Sequence, residues 1–98
     1  MPKIPVEFHC EAEAELLHAF DWYHIRNTEV AKRFEAEVAA LISHLETSPS
    51  RFPFLEEPIR IATLRQFPYY IPFRVLVDKV EILGVCHASR EPGYWKNR

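Results

Sequence analysis

The sequence predicts an α+β domain in which an antiparallel sheet packs against an N-terminal helical hairpin, in the order β-α-α-β-β-β. Two observations carry this. Apolar residues recur at three- and four-residue steps through the front half, while β-branched and aromatic residues alternate at period two through the last forty residues. A third observation is the charge. Residues 1–57 carry five Lys and Arg against eleven Asp and Glu, and residues 58–98 carry seven against three, so the bland net charge of −2 conceals a polarised molecule with an anion-seeking C-terminal part.

Each element has its own signal. Val6-Glu7-Phe8 alternates and reads as a short first strand. From Glu11 the period lengthens: Ala12, Leu16, Ala19, Phe20 and Tyr23 form one stripe, and Glu11, Glu13 and Glu15 enrich the first turns, where the helix dipole favours acids. This helix is expected to end near Arg26-Asn27. Thr28 is expected to cap a second helix with the stripe Val30, Phe34, Val38, Leu41, Ile42 and Leu45, stopped by Ser48-Pro49-Ser50. So short a joint between two stripes folds the helices back on each other.

Three strand-like runs follow the Pro-containing stretch Phe52 to Pro58. Ile59 to Leu64 alternates; Tyr69 to Val77 places Tyr69, Ile71, Phe73, Val75 and Val77 on one face; Val80 to His87 is rich in β-branched residues. Asp78-Lys79 fits a two-residue hairpin turn. Pro72 lacks a ladder donor and argues for an edge position or a bulge. Glu91 to Arg98 reads as an exposed tail on a single domain spanning 1–98.

Composition excludes several function classes. The chain has 98 residues, 48% of them hydrophobic and 27% charged, as in one ordinary globular domain. No apolar run approaches the ~20 residues that cross a bilayer, so no membrane partner and a cytoplasmic location are expected. With only Gly84 and Gly93, no phosphate-cradling glycine loop exists. The five histidines show no ligand spacing, and Cys10 and Cys86 form no Cys-x-x-Cys pair; no metal and no cofactor are expected. Both thiols read as reduced, with Cys86 buried in a strand.

The chemistry-bearing residues cluster late in the chain. His87 can give or take a proton near neutral pH. Arg65 and Arg90 can clamp a phosphate through paired N–H groups, and Tyr94 or Trp95 can stack on an unpaired base. Each also has a structural reading. His87 can be a hydrogen-bonded side chain at a strand end, the arginines can pair with the acidic helices, Tyr69 and Tyr70 can be core plus surface, and Tyr94 and Trp95 can cover the sheet.

Several of these segments carry a family resemblance. The helix opening Phe8 to Leu16 resembles the Ala-x-x-Glu-Leu start of the RelE/ParE superfamily of toxins from bacterial type II toxin–antitoxin operons. Phe34-x3-Val38, Arg65-x-Phe67-Pro68-Tyr69, and Ile82 to His87 leading to Arg90 follow in that family's order, over essentially the whole chain. The resemblance implies a toxin held inactive by a cognate antitoxin protein, with Arg60, Arg65, Tyr69, Arg90, Tyr94 and Trp95 as contacts to target or antitoxin. RelE-like members cut mRNA on the ribosome, which here would use His87, Arg65 and Arg90 as catalytic groups. ParE-like members poison DNA gyrase by binding. The lysine-rich patch typical of ribosome-directed members is not present, since Lys3, Lys32, Lys79 and Lys96 are scattered and the pI is near 6.2. The reading therefore leans to a ParE-like binder, with an mRNA endonuclease and an inactive antitoxin-binding relative as alternatives.

Overall fold

A computed structural model describes residues 2–98. The expected α+β architecture is present: β1 (Val6–Phe8), α1 (Cys10–Arg26) and α2 (Thr28–Thr47) precede β2 (Phe54–Glu56), β3 (Ile59–Thr63), β4 (Tyr69–Val75), β5 (Val80–Ile82) and β6 (Cys86–His87), with a short 3-10 turn at Pro49–Arg51. α1 starts because the His9 Nδ1 accepts from the Glu11 N–H at 3.1 Å, satisfying one of the first turn's orphan donors. The cap of α2 is Asn27, one residue before the expected Thr28. Its Oδ1 accepts from the N–H groups of Glu29 and Val30 at 3.0 and 3.2 Å, which only an extended residue ahead of the helix can do. The same Asn27 donates its N–H to the Tyr23 carbonyl at 2.7 Å, so one residue ends α1 and begins α2.

The sheet order is β1-β5-β4-β3-β2, with β6 also paired to β4. It is not purely antiparallel: β1 lies parallel to β5 in the register Val6–Val80, Glu7–Glu81, Phe8–Ile82. That pairing joins strands separated by the whole helical hairpin, and parallel partners require such a crossover. β3 and β4 form an antiparallel hairpin from Ile59–Arg74 to Thr63–Tyr70. The β4–β5 turn sits one residue earlier than expected. Leu76 N–H donates to the Lys79 carbonyl at 2.7 Å, placing Val77 and Asp78 at the tip; Val77 is fully exposed rather than on the core face.

Pro72 occupies an interior strand opposite Ile61, so the edge alternative fails and the bulge alternative holds. The register to β4 slips between Phe73–Ile82 and Tyr70–Cys86, leaving Leu83, Gly84 and Val85 against Ile71 and Pro72. Pro72 accepts from the Leu83 N–H at 2.8 Å, so its missing donor also faces the bulge, where the ladder is already broken. Gly84 makes the bulge fit: a Cβ there would lie 2.7 Å from the buried Cys86 Sγ. Gly84→Ala is accordingly expected to lower stability by about 1–3 kcal/mol, the usual cost of overpacking. An unchanged denaturation midpoint would show that Cys86 yields freely.

Two cores result. The larger lies between the helices and one sheet face, with Ala12, Ala19, Phe34, Val38 and Leu45 against Ile71, Phe73, Val80 and Ile82. The smaller lies elsewhere on the sheet and joins Leu83, Cys86 and Trp95, flanked by Ile59, Tyr70 and Tyr94. Residues 91–98 are therefore not a free tail. Gly93, at φ +84°, starts a turn in which Lys96 N–H donates to the Gly93 carbonyl at 3.0 Å, and Trp95 is driven to 1% exposure.

Candidate functional site

The C-terminal segment is tied to α1 through one carboxylate, that of Glu15. Three donor residues from the bulge and the C-terminal segment converge on it. Val85 N–H, freed from the ladder by the bulge, donates to Oε1 at 3.0 Å; the Tyr94 hydroxyl donates to Oε2 at 2.8 Å; Arg98 donates through both terminal nitrogens, at 2.8 Å to Oε1 and 3.0 Å to Oε2. Arg98 also donates to the Leu83 carbonyl at 3.0 Å, so its planar fork joins α1, the bulge and its own segment. Arg90 stands at 3.5 Å from Oε2 and lies over the Tyr94 ring at 3.8 Å. Lys96 adds a second tether, 2.8 Å from Glu56.

The electrostatics follow from this crowding. Burial raises the Glu15 pKa, and the hydrogen bonds from Arg98, Tyr94 and Val85 together with the Arg98 charge outweigh it, holding the carboxyl below its ordinary value. Tyr94 moves the other way, pushed up by burial and by its bonds to Cys86 and Glu15, so its hydroxyl remains a donor. Burial likewise raises the Cys86 thiol, which makes it inert.

A carboxyl depressed in the folded state contributes stability that is complete above its unfolded pKa and is lost as pH falls through the folded one. Glu56, lowered by its bond to Lys96, acts in the same direction. Docking of residues 90–98 is thus expected to be pH-independent above the ordinary carboxylate range and to fail below it. In a Trp22→Phe background Trp95 is the sole tryptophan, and an acid titration should expose it to quencher below about pH 4. Exposure that begins near neutral pH would refute this assignment.

The candidate residues fall into separate places. His87 and Arg90 come together with Tyr69, His18, Trp22 and Ser89 around a depression of ≈ 530 Å³ on the α1 side. The His87 ring meets Tyr69 edge to face at 5.1 Å, and its Nδ1 accepts from the Ser89 N–H at 3.0 Å with the Ser89 hydroxyl at 2.7 Å. Arg90 lines two further depressions: one of ≈ 450 Å³ with Glu11, Glu15 and Arg98, and one of ≈ 310 Å³ with Leu55, Ile61, Tyr70 and Trp95. It therefore sits on the ridge between all three.

Arg65 does not join this group. It borders different depressions, with His44, Phe52 and α2, and its backbone N–H is held by Glu37, which also accepts from Gln66 N–H at 3.2 Å. Arg60 is occupied structurally, donating to the carbonyls of Ser50 and Phe52 at 3.2 and 2.6 Å beneath the Phe54 ring. Trp95 is core and offers no face for stacking, with Nε1 3.5 Å from the Tyr70 hydroxyl. Tyr69 is half-buried between Tyr23, Phe34 and His87. Glu15 is the residue whose role sequence reasoning missed, having counted it only among the acids that suit the helix dipole. Its signal was placement: one turn from Ala12 and one turn from Ala19, both fully buried.

Among the described residues, no group of three or more His, Cys, Asp or Glu side chains could hold a metal ion, and no helix is long and apolar enough to cross a membrane. The chain is similar to "Toxin ParE2" of Mycobacterium tuberculosis, strains H37Rv and CDC 1551. In both cases it is 27% identical over 85 residues, which cover 86% of this chain and 81% of the relative. Its fold is shared by a chain of the "Chromosomal ParDE TA system from P. aeruginosa", with a TM-score of 0.74 at 21% identity over 88% of this chain and 97% of that one. The sequence pattern of the family described as "ParE toxin of type II toxin-antitoxin system, parDE" matches residues 6–92, and the chain accordingly belongs to the ParE toxins of type II toxin–antitoxin systems.

Proposed function

We propose that this ParE toxin arrests growth by binding an essential target, DNA gyrase, and that a cognate antitoxin neutralises it by covering its cationic C-terminal face. The observation that favours binding over RNA cleavage is the separation of the arginines. Cleavage by a 2′-hydroxyl needs a base, an acid and cations converging on one phosphate. Here Arg65 and Arg90 border different depressions, and the His87 Nδ1 is taken up by Ser89. Arg90, by contrast, is stacked, half-exposed and held in place, the properties of a contact that dominates an interface. The antitoxin part of the proposal rests on the toxin family and on the basic character of the last forty residues, which suits an acidic, amphipathic segment added as a helix or a strand.

Induction without antitoxin should stop growth, with replication failing before translation. The purified protein should inhibit supercoiling by DNA gyrase, and His87→Ala should do so at the wild-type concentration. An endonuclease would instead lose about 10²–10⁴-fold in activity with that change. Cleavage of mRNA in a translating extract, abolished by His87→Ala, would overturn the proposal.

A further inference from the structure

The Glu15 carboxylate is mostly buried, on the face of α1 that carries Ala12 and Ala19, but its partners are the bulge and the C-terminal segment. Its side chain and that of Arg98 retain 15% and 14% exposure, whereas Arg90 retains 54%. The cluster thus has a closed inner part and an open outer one. The inner part is the fork of Arg98 on Glu15, with the Tyr94 hydroxyl bonded beside it. The outer part is the Arg90 guanidinium, resting on the ring whose hydroxyl Glu15 holds.

We infer that Glu15 is a positioning residue for target binding: it fixes the Tyr94 ring as a platform and so holds Arg90 in one orientation on the exposed ridge. The inference rests on the reading that the C-terminal face carries the target contact. A free arginine must give up its rotamer freedom when it enters an interface, and that loss weakens binding. Stacking on Tyr94 and proximity to Glu15 impose the loss before the partner arrives. The neutral amide of Glu15→Gln could still accept from Val85 N–H through its one oxygen and donate to the Tyr94 hydroxyl through its nitrogen, but would lose the charge that draws both arginines. Arg98 would then no longer be clamped as a fork, and the platform under Arg90 would loosen.

A double-mutant cycle between Glu15 and Arg90 tests this, read as the intracellular toxin level needed for half-maximal growth arrest. Arg90→Ala should raise that level at least ~30-fold, as loss of a dominant contact does. Glu15→Gln should raise it about tenfold in the wild-type background, the scale of one newly mobile side chain, and should add nothing in the Arg90→Ala background. A residue that merely stabilised the fold would impose the same factor in both backgrounds, and that result, or no effect of Glu15→Gln at all, overturns the inference. Wild-type protein that arrests nothing removes the underlying reading and the inference together. Should Glu15→Gln fail to fold, Arg98→Gln keeps the carboxylate, removes its fork and runs the same cycle with the same outcomes.

Discussion

Phe34→Ala is expected to lower the unfolding free energy by about 3–5 kcal/mol, the range for emptying a large aromatic site. Phe34 is completely buried on α2, and its ring meets Tyr23 at 5.3 Å, Phe67 at 5.2 Å and Tyr69 at 5.6 Å. These partners come from α1, from the loop before β4 and from β4 itself. The ring is therefore the point where both helices meet the sheet, and no single partner can move to fill the space without leaving another. Domains of this size hold only about 5–15 kcal/mol in total, so the variant should stand close to unfolding at growth temperature. Each kcal/mol lowers the melting temperature by about 4–8 °C in a domain of this length. A thermal midpoint within a few degrees of wild type would show that Phe34 is not the hub of this core.

The parts of the molecule legible in the sequence are those set by local pattern. The stripe through Phe34, Val38, Leu41 and Leu45 placed α2 and its buried face, and the alternation through Ile71 and Phe73 placed β4. What the local pattern missed was set by partners distant in sequence. The parallel pairing of Val6 with Val80 depends on a strand more than seventy residues away, and nothing in Val-Glu-Phe records its direction. The bulge was half legible, since Pro72 announced a missing donor but not where that donor would have pointed. Arg65 and Arg90 looked interchangeable as cations because charge carries no address; the Arg65 loop is held by Glu37 on α2, whereas Arg90 lies by Glu15 on α1. Trp95, among polar and charged neighbours in a short terminal stretch, gave no periodicity by which to assign it to a core.

That misassignment changes what truncation should do. An exposed tail could be cut away at the cost of its surface contacts alone. Removal of Tyr94 to Arg98 instead withdraws Trp95 from the second core and uncovers Leu83 and Cys86, while leaving Glu15 without its fork or the Tyr94 hydroxyl. Loss of the Trp95 side chain by itself is expected to cost about 3–5 kcal/mol. A mostly buried carboxylate deprived of its partner adds a penalty of its own, though Glu15 can relieve part of it by taking up a proton. Truncation should therefore abolish growth arrest together with a large fall in the denaturation midpoint, whereas Arg90→Ala should raise the toxin level needed for arrest at least ~30-fold with the midpoint nearly unchanged. Measuring both quantities on both variants separates loss of a contact from loss of the structure that presents it. A truncated chain with the wild-type midpoint would mean that Trp95 and the Glu15 cluster contribute little to the fold, and the C-terminal segment would have to be treated as the tail it first resembled.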